Sequence, residues 1–418
     1  PVWVRILTLI AGLTIAALGL LAGSLSIILG SSGDPTAELT MITTGSAILA
    51  AAAGLGLAVA WQAWRSIQGK GSALFRPRSG WLLVLAFLLA VAAGQAILSL
   101  DRIPALAFAP FHILAGVLPP LALLALAGRG LGGKSRWRDV VLQLGSGGLL
   151  ATPLAFAVEM VILVGLAIAA VLSLALRPGG MALLERLQAL LEAGPWLPDP
   201  SQLLPAVVSP WTILIVLAVV AGIVPIIEEA VKSLGVGLMA YRRPGRAQAF
   251  LWGVAGGAGF ALVEGLLNTA GGLQSWTLVI LLRVGGTLLH AFTGGLMGLA
   301  WYQLFSRRWK RVAGLYASSV ALHSLWNGLS LGIGFLGVGA GEGAQPVVAG
   351  LGTAALLGGL IVIALSMGLG LAGMVAWLRR QRPASGEAVA SGDQAPQPAD
   401  SPGEAPGTHG EDARSERR

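Results

Sequence analysis

The chain contains no cysteine. Disulfides, thiolate metal sites and cysteine nucleophiles are therefore excluded, while the compartment stays open. Charge is the second shortage. Asp, Glu, Lys and Arg make up 11% of the 418 residues, whereas a soluble domain carries about 25%. Hydrophobic residues reach 55% and the mean hydropathy is +0.79. A chain this poor in charge needs lipid as the solvent for most of its length. The net charge of +8 does not point to nucleic acid, because the basic residues sit in short connections between apolar runs, as membrane topology requires. Glycine is abundant, at 60 residues, which suits helices packed closely in a bilayer.

Ten apolar runs are long enough to cross a bilayer, which takes about 20 residues as a helix. They cover 3–30, 39–64, 81–100, 106–127, 148–176, 209–240, 247–270, 276–305, 312–336 and 346–378. The first is too long for the apolar region of a signal peptide and has no clear cleavage site, so it reads as a span. The connections alternate in charge. Arg65, Lys70, Arg76 and Arg78 follow the second run, and Arg129, Lys134, Arg136 and Arg138 the fourth. Arg242, Arg243 and Arg246 follow the sixth, Arg307, Arg308, Lys310 and Arg311 the eighth, and Arg379, Arg380 and Arg382 the tenth. The intervening connections are acidic or nearly neutral. The expected fold is an all-α polytopic membrane protein of about ten transmembrane helices, with both termini cytoplasmic.

Between the fifth and sixth spans lies the longest outer connection. Its MALLERLQALLEAG stretch has helical apolar spacing and predicts an interfacial amphipathic helix, a surface brace rather than a lid. The tail, rich in Pro, Ala, Gly, Ser and acids, is too polar to bury a core and is expected to be disordered. The chain thus divides into five N-terminal spans (1–176), the outer loop (177–208), a polar-bearing membrane core (209–340), a last span (341–382) and the tail (383–418). No internal repeat is visible.

The core holds the anomaly. Seven of the nineteen acids lie in the tail, and Glu159, Glu228, Glu229 and Glu264 all fall within apolar spans. A charge there costs about 2.5–3.5 kcal/mol on insertion scales, so each needs a reason. Glu228 and Glu229 are adjacent, with Lys232 one turn on; Glu228 and Lys232 are four apart and share a helix face. The next span carries Glu264 with Asn268, the next Arg283 and His290, and the next His323 with Asn327. Counting about 1.5 Å per residue from the basic ends puts Glu228 and His323 about 17–18 Å deep and Glu264 and His290 about 24 Å deep. These groups can converge, because Gly253/Gly257 and Gly294/Gly298 have the spacing that lets helices approach. Carboxylates and imidazoles without cysteine suit activation of water. Either a glutamate is the general base, or Glu and His hold a divalent metal that lowers the pKa of water. Asn327 is a candidate oxyanion donor. Glu159 has no visible partner, and its structural and functional readings are equal. His112, beside Pro110, reads as packing.

These residues carry a resemblance. EEAVK (Glu228, Glu229, Lys232), GFALVE (Phe260, Glu264), the histidine of the next span (His290) and HSLWN (His323, Asn327) resemble the PrsW family of intramembrane proteases over roughly 210–335. The family is similar to the CAAX prenyl endopeptidase and bacteriocin-processing group, whose motifs look like EExxxR, FxxxH and HxxxN. This chain departs from that group in having Lys232, where the group has an arginine one residue further on, and Glu264 in place of a histidine. The resemblance implies hydrolysis of a peptide bond of a membrane-embedded substrate, in the family's named case a membrane-spanning anti-sigma factor, in the bacterial cytoplasmic membrane. By motif position, Glu228 would activate water, Glu229 and Lys232 would tune it, and Asn327 would be an oxyanion donor. Glu264, His290 and His323 would be metal ligands, with zinc the foremost ion, or would position water without a metal. The implied partners are a substrate with a transmembrane helix and the lipid bilayer, and no nucleic acid. Two other readings stand beside this one. An ion-coupled transporter would also carry Glu/His/Lys relays, but the chain lacks repeats. A non-catalytic scaffold would not need the glutamate pair.

Overall fold

In the computed structural model the described residues are 2–30, 35–78, 80–100, 102–176, 179–182, 184, 185, 188, 210–270, 273–341 and 346–381. They are 91% helical and contain no strand. Among the described residues nine helices are long and apolar enough to cross a membrane: α1 (Val2–Gly30), α2 (Ala37–Ile67), α3 (Gly80–Leu98), α4 (Ala105–Leu131), α5 (Trp137–Ser173), α6 (Ile213–Leu238), α7 (Arg246–Ala270), α8 (Trp276–Phe305) and α10 (Gly350–Arg380). Between the last two runs α9 (Trp309–Gly341), a continuous helix of 33 residues. It covers the expected ninth span, and His323, Ser324 and Asn327 lower its hydropathy. Helices are the natural spanning element, because each satisfies its own backbone where no water can. The expected amphipathic helix lies largely outside the described residues, and the tail beyond residue 381 lies wholly outside them.

One span starts earlier than its hydropathy suggests. α5 begins at Trp137 rather than near residue 148, because its first turns are amphipathic: Asp139, Val140, Gln143 and Leu144 are buried while Arg138 is not. The basic connections after α2, α4 and α6 meet at one end of the helices. Arg5 donates to the Ser66 carbonyl, Arg138 to the Lys70 carbonyl, and Arg242 is paired with Asp139. Phe75 and Trp137 hydrogen-bond across to Ser135 and Ala73.

The helix α7 is the axis of the fold. Its apolar window is 89% buried, against 6% for α5. It packs on α2, α4, α5, α6 and α8, so the first five spans are joined to the polar-bearing helices rather than set apart from them. The tightest seam is α7 on α8. A Cβ at Gly253 would strike the backbone of Gly294, and one at Gly257 would strike the His290 carbonyl. The two GxxxG pairs interlock, and that contact fixes the height of His290.

Two spans widen into π-turns just before a proline: Ser146–Ala151 ahead of Pro153, and Val219–Ile223 ahead of Pro225. Proline has no N–H and clashes with the carbonyl four residues back, and a π-turn removes that conflict. In α6 this turn sits directly before the glutamate pair.

Candidate active site

Eight polar side chains from α6, α7, α8 and α9 meet inside the helices. Glu229 and Lys232 are fully buried, and Glu228, His290 and His323 nearly so. They form one continuous chain of contacts. Arg283 grips Glu264 with both terminal nitrogens, Nη2 to Oε2 at 2.8 Å and Nη1 to Oε1 at 3.1 Å. Glu264 Oε2 lies 2.8 Å from His290 Nε2. His290 Nδ1 lies 2.9 Å from Lys232 Nζ, and Lys232 donates to Glu229 Oε1 at 2.5 Å. Glu229 Oε1 also lies 2.8 Å from His323 Nδ1 and accepts from Thr293 at 3.1 Å.

The partners assign the tautomers. A lysine ammonium only donates, so His290 Nδ1 accepts and its Nε2 carries the proton on the side of Glu264. His323 Nδ1–H donates to Glu229, which leaves a lone pair on Nε2. That lone pair faces Glu228 Oε2 at 3.6 Å, and this oxygen is buried with no hydrogen-bond partner. Two acceptors therefore face each other, an arrangement that asks for a cation or a donor.

The chemistry of the donors fits a divalent metal. One ligand atom each from Glu228, His290 and His323 lies within 4.8 Å of the others. Glu229 beside His323 and Glu264 beside His290 are carboxylates against imidazoles, the partners that usually orient a metal-binding histidine. Both ring nitrogens of His290 have partners, so binding an ion exchanges one of them.

Several placements differ from what spacing alone suggests. The lysine charge goes to Glu229, three residues back, rather than to Glu228, four back, because the helix opens into a turn at Lys232 and Ser233. Glu264 stands behind His290 and is committed to Arg283, while the donor cluster contains Glu228. Asn327 donates to the Val220 carbonyl at 2.9 Å, in the π-turn before the glutamates. His112 is fully buried on the other side of α7; it accepts from Trp276 at 3.1 Å and lies 3.2 Å from the Leu266 carbonyl, a packing arrangement. Thr293 had no signal beyond standing one turn after His290. Arg283 is two turns before His290 on the same face, a visible spacing whose partner was not visible. Glu159 on α5 has a buried Oε1 without a partner and lies within electrostatic reach of Glu264 and Glu228.

The profile of one protein family, described as PrsW family intramembrane metalloprotease, matches residues 136–357. The match begins at α5 rather than near residue 210, so it takes in Glu159 as well as the four helices of the cluster. No curated protein and no solved structure matches the chain. With over half of its length matched, this multi-pass membrane chain belongs to the PrsW family of intramembrane metalloproteases.

Proposed function

We propose that the chain is an endopeptidase of the bacterial cytoplasmic membrane, with its basic connections on the cytoplasmic side, and that it hydrolyses a peptide bond of a membrane-embedded protein at the cluster around Glu228. The observation that carries this reading is the pair of facing acceptors, Glu228 Oε2 and His323 Nε2, in a buried cluster of carboxylates and imidazoles.

In this reading Glu228, His290 and His323 hold a divalent metal, zinc by the nitrogen-and-carboxylate character of the set. When bound, such an ion polarises the scissile carbonyl and lowers the pKa of water. The chain's own residues do the rest. Glu229 holds His323 by Nδ1, so that Nε2 stays unprotonated and aimed at Glu228. Lys232 neutralises Glu229, and Arg283 neutralises Glu264, which orients His290. Glu228 is the carboxylate of the cluster that neither Lys232 nor Arg283 holds, and it takes the proton of the attacking water. Water oxygen bonds to the carbonyl carbon, the C–N bond breaks, and the proton passes from Glu228 to the departing amine. Asn327 fixes the π-turn before the glutamates through Val220 and so sets their direction. An anti-sigma factor is one substrate of the right kind, a protein with a transmembrane helix.

Purified protein in liposomes, given a single-span test substrate, checks this. Wild type should cleave and hold about one equivalent of metal. Glu228→Gln and His323→Ala should not cleave, and His323→Ala should lose the metal. Unchanged cleavage by Glu228→Gln would end the assignment.

A further inference from the structure

Glu159, Glu228, Glu229 and Glu264 lie inside the apolar runs, and three of these four have a counterpart. Lys232 holds Glu229, Arg283 holds Glu264, and Glu228 faces His323. Glu159 is the fourth. Its Oε1 is buried with no hydrogen-bond partner, and among the described residues no ion pair reaches it.

Its position on α5 is informative. Ala155 is buried, and Thr152, Glu159 and Ile162 are half-buried, at the helical spacing of one stripe. Around them Phe156, Val158, Met160, Val161 and Leu163 are exposed. Ala155 packs with Phe260 of α7, against Ile227 and Val231 of α6, so the stripe faces the helices that carry the catalytic cluster. α5 is therefore a thin wall between that cluster and lipid, and Glu159 is the polar group on its inner side.

A carboxylate so placed needs a cation, and Lys232 and Arg283 are committed to Glu229 and Glu264. Glu159 is not one of the grouped metal donors. A substrate helix that entered beside α5 would pass Glu159 on its way to Glu228. A lysine or arginine within its membrane segment would itself be costly there, and pairing with Glu159 would relieve both charges. We propose that Glu159 is a specificity-determining residue that receives a basic side chain of the substrate's membrane segment. The inference rests on the endopeptidase reading and names the substrate class: spans carrying a lysine or arginine near the scissile bond.

Synthetic apolar segments of about 25 residues, identical except for Lys, Gln or Glu at one position, test it. The position is walked along two turns on either side of the cleaved bond. At one position, wild type in liposomes should favour Lys over Gln by about tenfold, expressed in KM rather than kcat. Glu159→Gln should bring that ratio close to one, and Glu159→Lys should move the preference to the Glu segment. Photocrosslinking of the same segments to Glu228→Gln protein should give the same ranking without turnover. Preference in crosslinking with no cleavage by wild type would refute the endopeptidase reading and leave Glu159 as a recognition residue. A Lys/Gln ratio near one at every position would overturn the proposal. So would a ratio that survives in Glu159→Gln, including the case where kcat falls equally for all segments.

Discussion

Replacing Lys232 by methionine keeps the length of the side chain and removes its charge. Both partners of the Lys232–Glu229 pair are 0% exposed, and their contact is 2.5 Å. Without the ammonium, Glu229 is a buried carboxylate supported only by His323 and Thr293. Breaking one side of such a pair costs about 3–5 kcal/mol, because the surviving charge is left uncompensated. Glu229→Gln should cost a similar amount, since Lys232 then has only neutral partners, His290, Thr293 and the glutamine oxygen. The double variant removes both charges, and its glutamine still accepts from His323. It should be more stable than the sum of the singles by at least about 2 kcal/mol. Unfolding in mixed micelles, followed by tryptophan fluorescence, reads all four proteins. The double variant should nevertheless fail to cleave, because His323 is no longer held by a carboxylate. Additive destabilisation would refute the claim that the two charges exist in the membrane only as a pair.

Gly257→Ala would drive a methyl group into the His290 carbonyl; it should cost about 1–3 kcal/mol by overpacking, and a displacement of His290 by about 1 Å should lower kcat about 100-fold in the liposome assay. Arg283→Gln frees Glu264 from its two-point grip and should weaken metal retention or activity by about 10–100-fold. Arg283→Lys should recover only part of this, since an ammonium lacks the planar fork, and a full recovery would show that only the charge matters. Asn327→Leu removes the bond to the Val220 carbonyl; a loss of about 1 kcal/mol in mixed-micelle unfolding is expected, with a larger proportional loss in cleavage. Chelation should stop cleavage and lower the thermal stability of wild type, and added zinc should restore both. His323→Ala should show no stability response to either treatment.

The spans were legible because a bilayer demands long apolar runs and little else. The exception, the start of α5, shows the limit of hydropathy: Asp139 and Gln143 are polar yet buried, which only the packing of neighbouring helices reveals. The participants of the site were legible for the same reason, since a glutamate or histidine in hydrocarbon stands out. Their pairing was not. An ideal helix puts Lys232 over Glu228, but the turn at Ser233 swings it to Glu229. The grip of Arg283 on Glu264 joins two helices, and no spacing within either one specifies it. Thr293 has an ordinary identity for such a span, so nothing marked it.

Hydrolysis at the Glu228 cluster is tested most directly by the fate of water oxygen. A single-span test substrate is incubated in liposomes with wild type or Glu228→Gln in water enriched in oxygen-18, and the fragments are weighed by mass spectrometry. The account predicts that wild type gives one internal cut whose new carboxyl terminus carries one heavy oxygen, and that Glu228→Gln, folded to the same stability, gives none. Labelled product from Glu228→Gln at the wild-type rate would contradict it, as would wild-type fragments without the label.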